Sequence, residues 1–273
     1  GTALSISGIE RVDFGSGNDQ ARGGPDSGTT YSLYGGTGND TLYFSAGRDL
    51  LFGGTDDDTF IVDDPTNISA LDNIFSGSGN DRLLIQAQAD GDFFDMFSVD
   101  VVTIAEIEFA AVGSNLDVRL RLNGDEHAST GAEYANNLLV DGNNVTGSTE
   151  IIQIDMSNDT MLDLSGWTFT GWGGQGERVE INGDADAETI TGTTMDDDID
   201  GAGGDDLITY VGGADTLDGG LGTDTLEASA LAMDLVIDLT AGTGSYNGDA
   251  LVVAGFERVD FGSGNDQARG GPD

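Results

Sequence analysis

The sequence predicts an all-β chain built as a stacked solenoid of short strands. Three observations carry this: a nine-residue unit recurs in register, a 247-residue unit recurs above it, and glycines and acids hold fixed places inside the nine. From Gly183 to Glu227 five nonapeptides run without a gap: GDADAETIT, GTTMDDDID, GAGGDDLIT, YVGGADTLD and GGLGTDTLE. Their sixth residues are Glu188, Asp197, Asp206, Asp215 and Asp224, and their eighth are Ile190, Ile199, Ile208, Leu217 and Leu226. From Gly35 to Ile61 three more follow: GGTGNDTLY, FSAGRDLLF and GGTDDDTFI, with Asp40, Asp49 and Asp58 sixth and Leu42, Leu51 and Phe60 eighth. Isolated copies at 14–22, 76–84 and 261–269 place Asp19, Asp81 and Asp266 sixth.

Each nine divides into two halves. The glycine-rich first six residues turn tightly, with backbone carbonyls pointing at one spot and a short carboxylate added at position six. The last three make a brief strand, and only the middle one, position eight, points inward, because strand side chains alternate. One unit buries one apolar side chain, too little to fold alone. Stacking solves this: each strand bonds to the strand two units on, and position eight becomes a file of Ile, Leu and Phe. The acids stack too, at the ~4.8 Å rise of neighbouring strands, where bare carboxylates repel by a few kcal/mol at an effective dielectric of ~20. A divalent cation between turns reverses that sign. Oxygen-only donors, many of them backbone carbonyls, select Ca2+ over Zn2+ or Mg2+. Asp suits the tight turn better than Glu, and the chain has 39 Asp against 11 Glu.

Composition excludes several classes. The 273 residues fit one large domain or two small ones. Fifty acids stand against nine arginines and no lysine, for a net charge of −41, which repels nucleic acid and anionic membranes. The absence of Cys removes disulfides, thiolate metal sites and thiol catalysis, and the absence of Lys removes Schiff-base chemistry. No apolar run approaches the ~18 residues of a membrane span. Hydrophobic residues still make up 37% and recur in step with the glycines, which argues for order rather than disorder. With no initiating Met and no visible signal peptide, the chain reads as a piece of a longer one.

The long period supports that reading. ERVDFGSGNDQARGGPD occupies 10–26 and again 257–273, and 21 of the 26 positions in 1–26 match 248–273. A cloning scar would not carry a diverging flank such as Ile9 against Phe256. Residues 248–273 are therefore read as the start of the next tandem unit. The organisation expected is a nonapeptide block at 1–89, a middle without the motif at 90–181, and a second block at 182–273. In the middle, Leu116, Val118, Leu120 and Leu122 alternate with Asp117, Arg119 and Arg121 as a half-buried strand. Ile151–Ile154, Met161–Leu164 and Trp167–Phe169 read as further strands, and Thr103–Ala111 as a short helix. Two arrangements stay open for this middle: wider solenoid coils or an inserted β-sandwich.

The nonapeptide resembles GGxGxDxUx, the repeat of RTX calcium-binding proteins. The resemblance covers 1–89 and 182–273 and implies a right-handed parallel β-roll with two nonapeptides per coil. It also implies several Ca2+ ions, each held between turns two units apart by turn carbonyls, position-five polar groups and position-six Asp. Asp40 with Asn39 would share an ion with Asp58 and Asp57, with Gly35, Thr37, Gly53 and Thr55 in the turns. Asp206 with Asp205 would share with Asp224, across Gly201, Gly203 and Gly219, and Asp197 with Asp215. Asp19, Asp49, Asp81 and Asp266 would be the sixth-position ligands of the remaining copies. Three departures stand out: Glu188 in place of Asp, the missing second and fourth glycines of GTTMDDDID, and Arg48 at position five beside Asp49. Residues 235–273 look like the longer connecting coils of such proteins. The function implied is a non-enzymatic, calcium-dependent extracellular structural repeat, exported by a type I route and folded where Ca2+ is millimolar. It would form a fibre, sheath, stalk or surface lattice such as an S-layer. Its partners would be neighbouring copies, in tandem or side by side, with no small-molecule substrate. The alternatives are an extender region of an adhesin and the calcium-binding module of a secreted enzyme.

Other motifs are absorbed by the period. Asp196-x-Asp198-x-Asp200-Gly201 begins like an EF-hand loop, but Leu207 stands where the closing Glu belongs. Gly171-x-Gly173-x-x-Gly176 lacks a βαβ setting and reads as turn glycines. His127, in GDEHASTG, reads as a solvated loop residue, and Trp167 and Trp172 as packing residues.

Overall fold

The structure, a computed structural model, describes residues 9–102, 104–110, 116–123, 134–143, 147–157, 159–172 and 176–270. His127 and Gly173 lie outside the described residues. Strands begin where the nonapeptide puts them. Thr41–Tyr43, Thr59–Val62, Thr189–Thr191, Leu207–Thr209, Thr216–Asp218 and Thr225–Ala228 each open on a seventh residue. The only helical element among the described residues is the single 3-10 turn Pro65–Asn67.

The chain forms two compact units. The first comprises Gly1–Arg121, Ala132–Glu150 and Thr168–Gln175; the second comprises Leu122–Gly131, Ile151–Trp167 and Gly176–Asp273. In the first, one parallel sheet runs Arg11–Ser16, Thr30–Thr37, Arg48–Thr55, Asn73–Ser78, Asp100–Val102. The other runs Gln20–Arg22, Thr41–Tyr43, Thr59–Val62, Arg82–Ile85, Ile104–Phe109, Tyr134–Asp141, Thr168–Thr170. In the second, Met161–Asp163, Thr189–Thr191, Leu207–Thr209, Thr225–Ala228 and Arg258–Phe261 make one parallel sheet. The 18-residue coil is explicit in the register, with Thr41 beside Thr59, Thr30 beside Arg48, Leu207 beside Thr225 and Val179 beside Asp197. Each unit is thus a parallel β-roll.

Position eight is the core, as the alternation requires. Leu42, Leu51, Phe60, Leu83, Ile190, Ile199, Ile208, Leu217 and Leu226 are all buried. Phe60 lies in register between Leu42 and Leu83, so removing its ring opens a void that neighbouring coils cannot close. Phe60→Ala should cost ~3–5 kcal/mol, read from denaturant unfolding at saturating Ca2+. A cost below ~1 kcal/mol would contradict the stacked core. On the outer face Tyr34, Phe52 and Phe75 stack with centroids 4.2 and 4.7 Å apart, close to the strand rise, and Arg11 lies 4.2 Å over Tyr34.

The middle segment continues the rolls. Asp100–Val102 pairs in parallel with Asn73–Ser78, and Ile104–Phe109 with Arg82–Ile85. The coils are wider: Arg82 faces Glu106, Glu106 faces Leu139 and Leu139 faces Thr168, steps of 24, 33 and 29 residues. Wider solenoid coils, rather than an inserted sandwich, describe these residues. Trp172 packs against Phe109 and Phe169, as a packing residue should.

Two features differ from the sequence reading. The helix expected over Thr103–Ala111 is instead the strand Ile104–Phe109. A register shift between Ile104 and Glu106 puts Ile104 and Ile107 on one face three residues apart, a helix-like spacing produced by a bulge. In the region read as connecting coils, Leu235–Asp238, Thr243–Tyr246 and Asp249–Ala254 form an antiparallel meander inside an otherwise parallel sheet. Its second turn is Asn247-Gly248, both at positive φ (51° and 103°), the dipeptide that two-residue hairpins favour.

Candidate calcium-binding turns

The sixth-position acids form buried files along the edges of the rolls. In the first unit the backbone N–H of Asp19 donates to Asp40 Oδ1 (2.8 Å), that of Asp40 to Asp58 Oδ1 (2.8 Å), and that of Asp58 to Asp81 Oδ1 (2.9 Å). In the second the N–H of Glu188 donates to Asp206 Oδ1, that of Asp206 to Asp224 Oδ1, and that of Asp224 to Glu257 Oε2, each at 2.8 Å. One oxygen of each carboxylate is thus bonded to the coil before it. The other is not: Oδ2 of Asp40, Asp58, Asp81, Asp206 and Asp224 is buried with no hydrogen-bond partner among the described residues. The ion pairs among the described residues involve other acids, such as Arg82–Glu108, Arg121–Asp95 and Arg269–Asp238. Burial, reinforced by Asp81 and Asp40, pushes the Asp58 carboxyl up to about 7. The carboxyls of Asp40, Asp206 and Asp224 move in the same direction, again chiefly through burial.

A glycine at position one of the nonapeptide shapes the space around the orphaned oxygen at Asp40, Asp58 and Asp206. A methyl group on Gly201 would lie 2.6 Å from Asp206 Oδ2 and 2.7 Å from Gly219 O. On Gly35 it would collide with Asp40 Oδ2 and lie 2.7 Å from Gly53 O; on Gly53 it would collide with Asp58 Oδ2 and lie 2.5 Å from Ser76 O. Carboxylate and carbonyl of the next coil therefore converge on a gap that only glycine leaves open. Among the described residues no three acidic or imidazole side chains cluster as a metal site, so backbone carbonyls must supply much of any coordination shell. An oxygen-only set of carbonyls and one or two carboxylates fits Ca2+.

The position-five row lies outside, and its bonds run the opposite way. The N–H of Asn39 donates to Asn18 Oδ1, that of Asn80 to Asp57 Oδ1, that of Ala214 to Asp196 Oδ1 and that of Thr223 to Asp205 Oδ1, at 2.8–3.1 Å. Thr37 and Thr55 face each other across neighbouring coils, exposed, and Gly203 bridges to Leu221. Asp266 accepts from the N–H of Leu235 (2.9 Å).

Asp49 and Asp197 differ from the ligand set expected of them. The Ser45 N–H and hydroxyl take both oxygens of Asp49 (2.7 and 2.6 Å), and those of Thr193 take both oxygens of Asp197 (2.6 and 2.9 Å). Ser45 and Thr193 stand at position two, where the motif has glycine. Asp72, outside the nine-residue register, is closed the same way by Ser69 and accepts from the N–H of Asp49 (2.7 Å). Asp215, buried, accepts from Asp197 (3.0 Å), and burial with the charge of Asp197 raises its carboxyl. Each unit therefore has one edge with orphaned oxygens and another on which hydroxyls close acids, Asp49 and Asp72 in the first and Asp197 in the second. The sequence carried a signal for this, a Ser or Thr in the glycine slot, that period counting alone passes over. Asp49→Asn should leave the number of bound Ca2+ ions unchanged in equilibrium dialysis while lowering stability by ~1–3 kcal/mol, since a buried acceptor network is broken. Loss of an ion would place Asp49 among the ligands.

Comparison with known families matches the RTX calcium-binding nonapeptide repeat, in four copies, over residues 32–63 and 211–230. No curated protein and no solved structure matches the chain. Repeats of this kind bind several Ca2+ ions per array, and the matched segments contain Asp40, Asp58 and Asp224 with their open oxygens.

Proposed function

Because the chain carries RTX calcium-binding nonapeptide repeats, we propose that it is a non-enzymatic structural repeat that works outside the cell in tandem with copies of itself, as a calcium-stiffened fibre, stalk or lattice element. The nonapeptide is a calcium-binding module rather than a catalytic one. Export in a calcium-poor, unfolded state followed by folding in millimolar Ca2+ suits sites that need bind at only ~10⁻⁴–10⁻³ M. Among the described residues no helix is long and apolar enough to cross a membrane.

The observation that carries the tandem reading is how the duplicated segment is used at each end. In the first copy, Arg11–Ser16 pairs forward with Thr30–Thr37, and Asp19 donates to Asp40. In the second, Arg258–Phe261 pairs back with Thr225–Ala228, and Glu257 accepts from Asp224. Glu10 and Glu257 are the same residue of the repeat, nine positions before Asp19 and Asp266 respectively. A single copy at a junction can therefore close the acid file of one block with its Glu and open that of the next with its Asp. The ladder then continues without a free strand edge.

Electron microscopy of a chain holding two consecutive units tests this. Straight, continuous particles in Ca2+ that become flexible on chelation are expected. Independent beads in saturating Ca2+ would sink the structural reading.

A further inference from the structure

Glu188 is the one sixth-position residue in the two gapless runs, of five and three nonapeptides, that is not Asp, and it lies outside the segments that match the repeat family. By motif it should interrupt the ion file. Its surroundings say otherwise. Glu188 is 2% exposed, and both of its carboxylate oxygens are buried with no hydrogen-bond partner among the described residues, whereas each Asp of the file leaves only one oxygen open. Its N–H donates to Asp206 Oδ1 at 2.8 Å, the same bond that links Asp40 to Asp58 and Asp206 to Asp224. The glycine cradle is intact as well. A methyl group on Gly183 would lie 2.6 Å from Gly201 O and 2.8 Å from Glu188 Oε2, matching the gap at Gly201 formed by Gly219 O and Asp206 Oδ2. Position two of this copy is Asp184, so no Ser or Thr occupies the slot from which Ser45 and Thr193 close their edges.

We propose that Glu188 holds a further Ca2+ ion, off the repeat motif, at the first coil of the second block, with the carbonyl of Gly201 as a co-ligand. Glu188 Oε2 lies at the gap beside Gly201 O, and Oε1 is equally buried and without a hydrogen bond, so both oxygens are open to the ion at the start of the file. The inference rests on the reading of the Asp206 and Asp224 turns as calcium sites, and goes beyond it in adding a site that the motif omits.

The test counts ions. The full chain is saturated with Ca2+, passed through a desalting column at a fixed free Ca2+ concentration, and its calcium is measured by mass spectrometry. Glu188→Gln should hold one ion fewer than the parent chain, and Glu188→Asp should restore the count. Asp206→Asn serves as the reference for loss at a motif site. An unchanged count in Glu188→Gln, with a reduced count in Asp206→Asn, would overturn the Glu188 site and leave the repeat sites standing. A parent chain that holds no calcium would instead overturn the underlying reading, and the Glu188 site with it. Should Glu188→Gln fail to fold, a crystal structure of the parent chain in Ca2+ decides. A cation ~2.3–2.6 Å from both Glu188 oxygens supports the site, and a density map without one there overturns it.

Discussion

Removal of Ca2+ with EGTA is expected to abolish most of the β-sheet circular dichroism of the chain, and restoring Ca2+ to bring it back. Seven buried carboxylate oxygens of the acid files, one each on Asp40, Asp58, Asp81, Asp206 and Asp224 and two on Glu188, have no hydrogen-bond partner among the described residues, and neighbouring acids of each file sit one strand rise apart. Without a cation each coil must bury net negative charge, which is among the costliest states a fold can hold. One ion at a hundred times its dissociation constant contributes ~2.7 kcal/mol, so losing several exhausts the stability of an ordinary domain. Acid should partly replace the ion. Burial raises the Asp58 carboxyl from 3.8 to about 7. A carboxyl raised in the fold favours the neutral native state, so its contribution to stability grows as pH falls through the folded value. That contribution is complete only below the unfolded value of ~4. The chain stripped of Ca2+ and then desalted free of EGTA should therefore regain β structure between about pH 8 and pH 4, the opposite of ordinary acid denaturation. The calcium-loaded chain should weaken over the same range as protons compete with the ion. A β spectrum indifferent to EGTA at neutral pH would end the calcium account.

The second large effect is expected at Gly201. Its φ is not in the left-handed region, so Ala costs little in backbone terms, but the added methyl would sit 2.6 Å from Asp206 Oδ2 and 2.7 Å from Gly219 O. Gly201→Ala should lose the ion at Asp206 and lower stability by at least the ~1–3 kcal/mol of overpacking. Titration calorimetry and thermal unfolding in Ca2+ would show both. Gly248→Ala is the control: its φ is +103° but nothing lies within 4 Å of the added carbon. It should cost ~1 kcal/mol of backbone strain and no ion. Equal calcium binding by the parent chain and Gly201→Ala would mean that the cradle is not where the ion sits.

These effects trace to different levels of information. The core was readable from spacing alone, because alternation in a three-residue strand leaves position eight no other direction, and Leu42, Phe60, Ile208 and Leu226 obey it. The stagger of 18 was equally readable, since one nonapeptide makes half a coil. The strand Ile104–Phe109 was misread because its bulge imitates a helical interval. The meander holds an Asn247-Gly248 turn, a local signal that lies outside the nine-residue period from which the rest of the roll is read. Asp72 escaped because it belongs to no nonapeptide, and Glu257 because its partner Asp224 lies 33 residues away.

The nine-residue pattern alone requires the roll: its period, its buried file, the rows of acids, and the need for oxygen-bound cations to neutralise them. Which rows keep an open oxygen is settled by the packing of one coil on the next. That choice depends on whether a hydroxyl at Ser45, Ser69 or Thr193 reaches a carboxylate, or whether a glycine and the carbonyl of the next coil leave a gap beside it. Both outcomes come from the same Asp in the same repeat. The difference lies in a hydrogen-bond distance within the turn and in backbone atoms brought alongside by the following coil, and no single nonapeptide contains both.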